Sequence, residues 1–179
     1  MNANQAPLTP GSLADRLDAL LDAMAAAYAR MGEVSDAHRE AIRSADAYAV
    51  EDAVQRESII FRELQKLDHQ RRELVVLAHA SFPMLRRTPA DRTTLTQLAA
   101  HAPDTRRGVL TTKATELRDL VRGVQDRNAS IRNAASALLA HMEGVMRQVA
   151  RTLSHTGTYS RRGVVEAGGS VVSAVDLRS

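Results

Sequence analysis

Proline ends a helix because it lacks the backbone N–H and its ring collides with the preceding turn. In this chain of 179 residues it stands only at Pro7, Pro10, Pro83, Pro89 and Pro103. Long intervals are left in which nothing forbids a helix, and each carries an apolar stripe. From Ser12, a good N-cap residue, Leu13, Leu17, Leu20, Met24, Ala27, Met31 and Val34 recur at alternating steps of four and three, which predicts a first helix from Leu13 to about Arg43. Ser44 to Asp46 supplies cap-type residues, and Val50, Val54, Ile60, Leu64, Leu67, Leu74 and Leu77 form a second stripe ending near Pro83. That second helix is either separate from the first or continuous with it. Between Pro83 and Pro103 a connector holds one apolar segment, Leu95 to Ala100, too short to be stable without packing on the rest. Asp104 is placed to cap a third helix in which Leu110, Leu117, Val121, Val124, Ile131, Ala135, Leu138, Met142, Val145, Val149 and Leu153 keep close to heptad spacing, to about Ser154.

Helices of roughly 30 to 50 residues would measure roughly 45 to 75 Å at ~1.5 Å per residue, more than a small globule spans. The expected fold is therefore all-α: an elongated antiparallel bundle, a coiled-coil-like hairpin of three long helices with a short connector helix. Gly157, Gly163, Gly168 and Gly169 stand among serines and valines at the C-terminal end, and glycine's backbone entropy predicts a mobile tail there. The expected organisation is a flexible segment over 1–11, a helical domain over 12–156 and a flexible tail over 157–179.

Composition narrows the function. Aromatic residues are 3% of the chain and tryptophan is absent, whereas ligand pockets usually draw on aromatic side chains; the core must be thin and aliphatic. There is no cysteine, which excludes disulfides, thiolate metal ligands and a thiol nucleophile, and fits a reducing cytosol. Met1 to Gly11 lacks a basic start followed by an apolar core, and nowhere do ~18 apolar residues run together. The expected location is the cytoplasm, without membrane insertion.

No chemistry-bearing constellation emerges. Di-iron bundles need Glu-x-x-His pairs on an inward face, and none occurs; His38, His69, His79, His101, His141 and His155 are scattered. No phosphate loop, nucleophile elbow or Ser/His/Asp order is present, so no enzyme, cofactor or metal is expected. Arg86-Arg87, Arg106-Arg107 and Arg161-Arg162 could meet phosphates. Yet Asp15, Asp18, Asp22, Glu40, Glu57, Glu63, Glu116 and Glu143 interleave with arginine and the net charge is only +3, the pattern of a solvated mixed-charge surface. No nucleic-acid partner is expected. Three polar residues, Glu57, Arg71 and Asn128, fall where the heptad count calls for apolar ones; they fix helix alignment, reach water at a seam edge, or serve a ligand. Met24, Met31, Met142 and Met146 either fill an irregular core or form an adaptable binding surface.

Beyond these residues, the order of features resembles the FlgN-type flagellar export chaperones, over roughly Leu13 to Gly163. The parts that carry the resemblance are the opening Leu-rich helix, the run from His38 to Asp46, and the runs Glu63 to Leu67 and Gln70 to Leu74. Asn128 and Asn133 in the third helix follow, and then Tyr159 to Gly163, similar to the family's late tyrosine and glycine. In this chain the asparagines are five apart and the Tyr159 to Gly163 segment is basic. The resemblance implies a cytoplasmic chaperone that binds C-terminal helical segments of hook-associated proteins, the hook–filament junction components, before secretion. It also implies delivery to the export gate or export ATPase complex, with no nucleotide or metal. It points to Met142, Val145, Met146, Val149 and Leu153 for client binding and to Tyr159 for export-gate docking. For the helix-three set, core packing against the first two helices stands beside the client groove, and for Tyr159 a helix-end anchor stands beside docking. Val164, Val165, Val171, Val172, Val175 and Leu177 are either a second docking strip or an end without a role. A coiled-coil scaffold or regulator, a homodimer included, is the alternative function.

Overall fold

A tight left-handed turn folds the first helical stretch back on itself. In the computed structural model, which describes residues 7–155, helix α1 spans Pro10–Arg43 and helix α2 spans Ala47–Ser81, two separate helices. The Ala45 N–H donates to the Ile42 carbonyl at 3.1 Å and the Asp46 N–H reaches back to the Ala41 carbonyl at 3.0 Å. This is a Schellman closure, with Ala45 at φ 55°. Glycine usually holds that position, because a Cβ there crowds the following carbonyl. Asp46 then caps α2, its carboxylate accepting from the Ala49 N–H. At the other end the chain enters α1 earlier than its periodicity predicts. Thr9 is the N-cap and Pro10 the first helical residue, while Ser12, expected as the cap, is the third helical residue and completes a capping box with Thr9.

The connector comprises two 3-10 turns, Pro83–Arg87 and Ala90–Arg92, and the single-turn helix α3, Leu95–Ala99. Leu98 and Ala99 are fully buried, the packing that so short a helix requires. Helix α4 follows over Asp104–His155. Asp104 is its first residue rather than its cap, and its carboxylate pairs with Arg107 at 2.7 Å. The tail expected over 157–179 lies outside the described residues.

The chain divides into one unit through Arg132 and another from Asn133. In the first, α1 is covered by α2 and by residues 104–132 of α4. Arg30 pairs with Glu63 and His38 with Glu57, so residue numbers rise on α1 as they fall on α2, and these helices are antiparallel. Asp15 with Arg106, Asp22 with Lys113 and Asp36 with Arg127 each sit 91 residues apart, so α4 runs parallel to α1 at constant register. The first unit is thus an up-down-up helical bundle, the all-α fold that the stripes predict.

The core follows the stripes closely. Leu13, Leu17, Leu20, Met24, Ala27, Met31 and Val34 are all buried; α2 adds Ala53, Ile60, Leu67 and Leu74, and α4 adds Leu110, Ala114, Leu117, Val124 and Ile131. One assignment on α2 needs correcting. Val54 is 48% exposed and Ala53 is buried in its place, because a step of three and then one of four back from Ile60 pass through Glu57 to Ala53, whose small side chain gives a weaker signal than its valine neighbour. Outside the core, Asp18 bridges Lys113 at 2.6 Å and Arg106 at 2.9 Å. The Lys113 ammonium hydrogen-bonded to Asp18, with Arg106 beside it, holds that carboxyl below its ordinary 3.8 against a smaller opposing effect of burial.

Three outcomes follow in denaturation experiments. Replacing Ala45→Gly relieves the left-handed strain and raises stability by about 1 kcal/mol, whereas Leu17→Ala lowers it by about 2–5 kcal/mol. A carboxyl whose folded pKa is depressed contributes stability that is complete above its unfolded value and lost as pH falls through the folded one. Asp18→Asn therefore lowers stability at neutral pH and makes the acid side of the stability profile, below about pH 4, less steep than in the natural chain.

Candidate functional site

On α4 the heptad count runs without interruption through Leu110, Ala114, Leu117, Val121, Val124, Asn128, Ile131, Ala135, Leu138, Met142, Val145 and Val149. Its early members are core, and at Asn128 the seam turns polar. The Ser35 hydroxyl, fully buried on α1, lies 3.3 Å from the Asn128 Oδ1 that accepts from it and 3.5 Å from the Glu57 carboxylate. His38 Nδ1, on a side chain that is 11% exposed, is 3.1 Å from both Glu57 oxygens. A carboxylate only accepts, so Nδ1 carries the proton. One polar layer therefore ties α1, α2 and α4 at a single level. Of the alternatives that the sequence left for Glu57 and Asn128, helix alignment is the one this geometry serves. Arg71 is different: it pairs with Asp68 of its own helix at 2.8 Å with its side chain a quarter exposed, a seam-edge residue reaching water.

Past Ile131 the character of the stripe changes. In the second unit Leu138 is 37% exposed, Met142 55%, Val145 47% and Val149 49%, and beside them Leu139, Met146 and Leu153 are 61 to 70% exposed. The five residues Met142, Val145, Met146, Val149 and Leu153 thus share one open apolar face rather than a core. The opposite side carries the Glu143–Arg147 ion pair at 3.7 Å, one turn apart. Scattered exposed apolar residues are ordinary, but a contiguous face of seven along four turns is the kind of surface that marks an interaction site.

The other expected residues fare unequally. Asn133 is exposed on α4, off the seam that holds Asn128. Tyr159, Gly163 and the valines from Val164 onward lie outside the described residues. Arg106 is held by Asp15 and Asp18, Arg107 by Asp104, and Arg86 donates to the His79 and Ala80 carbonyls; the pair Arg161 and Arg162 lies outside the described residues. Among the described residues no group of three His, Asp or Glu side chains is placed to hold a metal ion, and no helix is long and apolar enough to cross a membrane. Sequence reasoning missed Ser35 and His38 as partners of Glu57, although both continue the steps of three and four from Met31 and Val34. It also missed a groove of about 570 Å³ lined by Tyr28, Met31, Phe61, Leu64, Val121 and Val124.

If the polar layer aligns the helices, Glu57→Ala leaves His38 without its acceptor and Ser35 with Asn128 alone, and costs about 1–3 kcal/mol in urea unfolding. Combining it with His38→Ala costs less than the two single losses added together. Strict additivity would mean that the residues do not act as a layer.

No curated protein and no solved structure matches the chain. A family model does: the one described as FlgN protein matches residues 13–167, from the first buried leucine of α1 through the whole of α4. That match takes in most of the chain, and the chain therefore belongs to the FlgN family, a family of flagellar chaperones.

Proposed function

We propose that this protein is a cytoplasmic export chaperone that binds the C-terminal helical segments of hook-associated proteins and keeps them from assembling before secretion. Family membership supplies the general role, a chaperone for flagellar export substrates. The observation that favours a helical client is the open face of Leu138, Met142, Val145, Met146, Val149 and Leu153. An amphipathic helix reads such a face through anchors at steps of three and four, the spacing with which these residues repeat. An unsecreted junction subunit exposes a face of the same kind, and covering one with the other removes both from water without consuming energy.

The methionines suit this role. Met142 and Met146 are unbranched and polarizable, and adjust to more than one client surface at little cost. Holding and releasing a helix by burial needs no bond-making group, so the reading assigns no catalytic residue, metal or cofactor. A closed scaffold would instead seal its stripe against its own helices. Tyr159, which lies outside the described residues, is assigned to docking at the export gate or its ATPase complex, with Asn133 and Gly163 as further family-like positions; this separates client binding from delivery along the chain.

Co-expression with hook-associated proteins from the same source, followed by size-exclusion chromatography with light scattering, checks the reading. The natural chain should form a stable complex that Met142→Glu/Val149→Glu loses while its helix content is unchanged. Tyr159→Ala should keep the complex and reduce client secretion. Absence of a complex with every hook-associated protein would remove the reading.

A further inference from the structure

Methionine is divided in this chain between the core and the open face. There is no cysteine, so thioether sulfur is the only kind that an oxidant meets. Met24 and Met31 are 7% and 6% exposed inside the bundle, whereas Met142 and Met146 are 55% and 70% exposed and stand one turn apart on the apolar stripe of α4. Susceptibility to oxidation follows exposure. We propose that Met142 and Met146 form a peroxide-sensitive modification site. Their conversion to sulfoxides makes the open face polar and releases the helix it holds, while the bundle stays folded.

The chemistry needs only the side chain and the oxidant. A lone pair of the sulfur attacks one oxygen of hydrogen peroxide, and the O–O bond breaks as the S–O bond forms. Sulfur loses two electrons, and the second oxygen leaves as water after taking the proton of the first. The product is a polar side chain with an acceptor oxygen in place of a soft apolar one. Position decides what this does. The two methionines share the face with Leu138, Leu139, Val145, Val149 and Leu153, none of which carries a side-chain donor for that oxygen. An apolar helix laid over the face would bury an acceptor without a partner, which weakens binding by about 10-fold or more for each sulfoxide. Without such a helix the oxygen is hydrated, and neither side chain belongs to the core, so the fold loses nothing. Met24 and Met31 are the reverse case: a sulfoxide there disrupts packing, and burial shields them from forming one. A thiol-dependent sulfoxide reductase reverses the change, two thiols becoming a disulfide and the oxygen leaving as water, so the site acts as a switch.

Release of a bound helix rests on the function proposed above; the selectivity of oxidation and the change in the face do not. The test treats the full chain with graded hydrogen peroxide. Peptide mass spectrometry reads each methionine, circular dichroism the helix content, and the fluorescence of anilinonaphthalene sulfonate the exposed apolar surface. Met142 and Met146, with the exposed Met84 of the connector, should convert before Met24 and Met31, helix content should hold, and dye fluorescence should fall. Met142→Leu/Met146→Leu should keep its fluorescence through the same treatment, and Met84→Leu should lose it as the natural chain does. Oxidised before mixing, the natural chain should bind a hook-associated protein about 10-fold or more weakly, and the leucine variant as before. The proposal is overturned by Met24 and Met31 converting as early, by loss of helix content with the first two sulfoxides, by unchanged fluorescence once both have formed, or by undiminished binding. A chain that binds no hook-associated protein even untreated defeats the function proposed above instead, and the dye measurement then decides this one.

Discussion

Helix α1 must be covered from two sides, and the rest of the first unit follows from that. Its apolar stripe is broad enough that Leu13, Ala14, Leu17, Leu21 and Ala27 lose essentially all contact with water. One neighbouring helix cannot do that, because a single partner shields only one arc of a helix surface. α2 covers one flank by turning back at Ala45 and running to the starting end, where the Leu8 N–H donates to Ser81, and α4 covers the other after the connector reverses the chain there. Fully burying a leucine is worth about 1.5–3 kcal/mol, whereas an exposed ion pair contributes about 0–1 kcal/mol. The seam therefore sets the bundle's stability. The line of contacts from Asp15 with Arg106 to Asp36 with Arg127 sets which residue faces which.

The layer of Ser35, His38, Glu57 and Asn128 belongs to that second task. A heptad seam of leucine and alanine is nearly the same after a shift of seven residues, and apolar contacts alone penalise such a slip weakly. A buried serine and histidine that find their acceptors in only one alignment penalise it strongly. The layer sits close to the last buried seam residue, Ile131, so alignment is fixed near the end of the bundle. Beyond it, the same heptad that is core on one stretch of α4 becomes exposed surface on the next.

Much of this was legible in the sequence, and what was not has physical reasons. Proline positions and the steps of three and four gave the helices to within a few residues, and the polar exceptions Glu57 and Asn128 marked the layer. Thr9 was passed over as the cap because Pro10 reads as a breaker, although proline is well suited to a helix's first turn. Ala53 lost to Val54 because hydrophobicity alone favours the larger neighbour. Ser35 and His38 stayed hidden because small or amphipathic polar residues on a stripe announce no partner until the facing helix is placed. The exposure of Met142 through Leu153 could not be read at all. Periodicity shows that a face is apolar and says nothing of whether anything covers it.

The central claim is that the client is held on the open stretch of α4 and not in the groove of the first unit lined by Phe61. A photo-reactive phenylalanine analogue placed at Met146 in one chain and at Phe61 in another, each co-expressed with hook-associated proteins and irradiated, tests this directly, since both natural side chains are exposed, at 70% and 56%. The expected result is a chaperone–client cross-link from position 146 and none from position 61. Capture from position 61 with none from position 146 would contradict it and move the site to the α1–α2–α4 bundle.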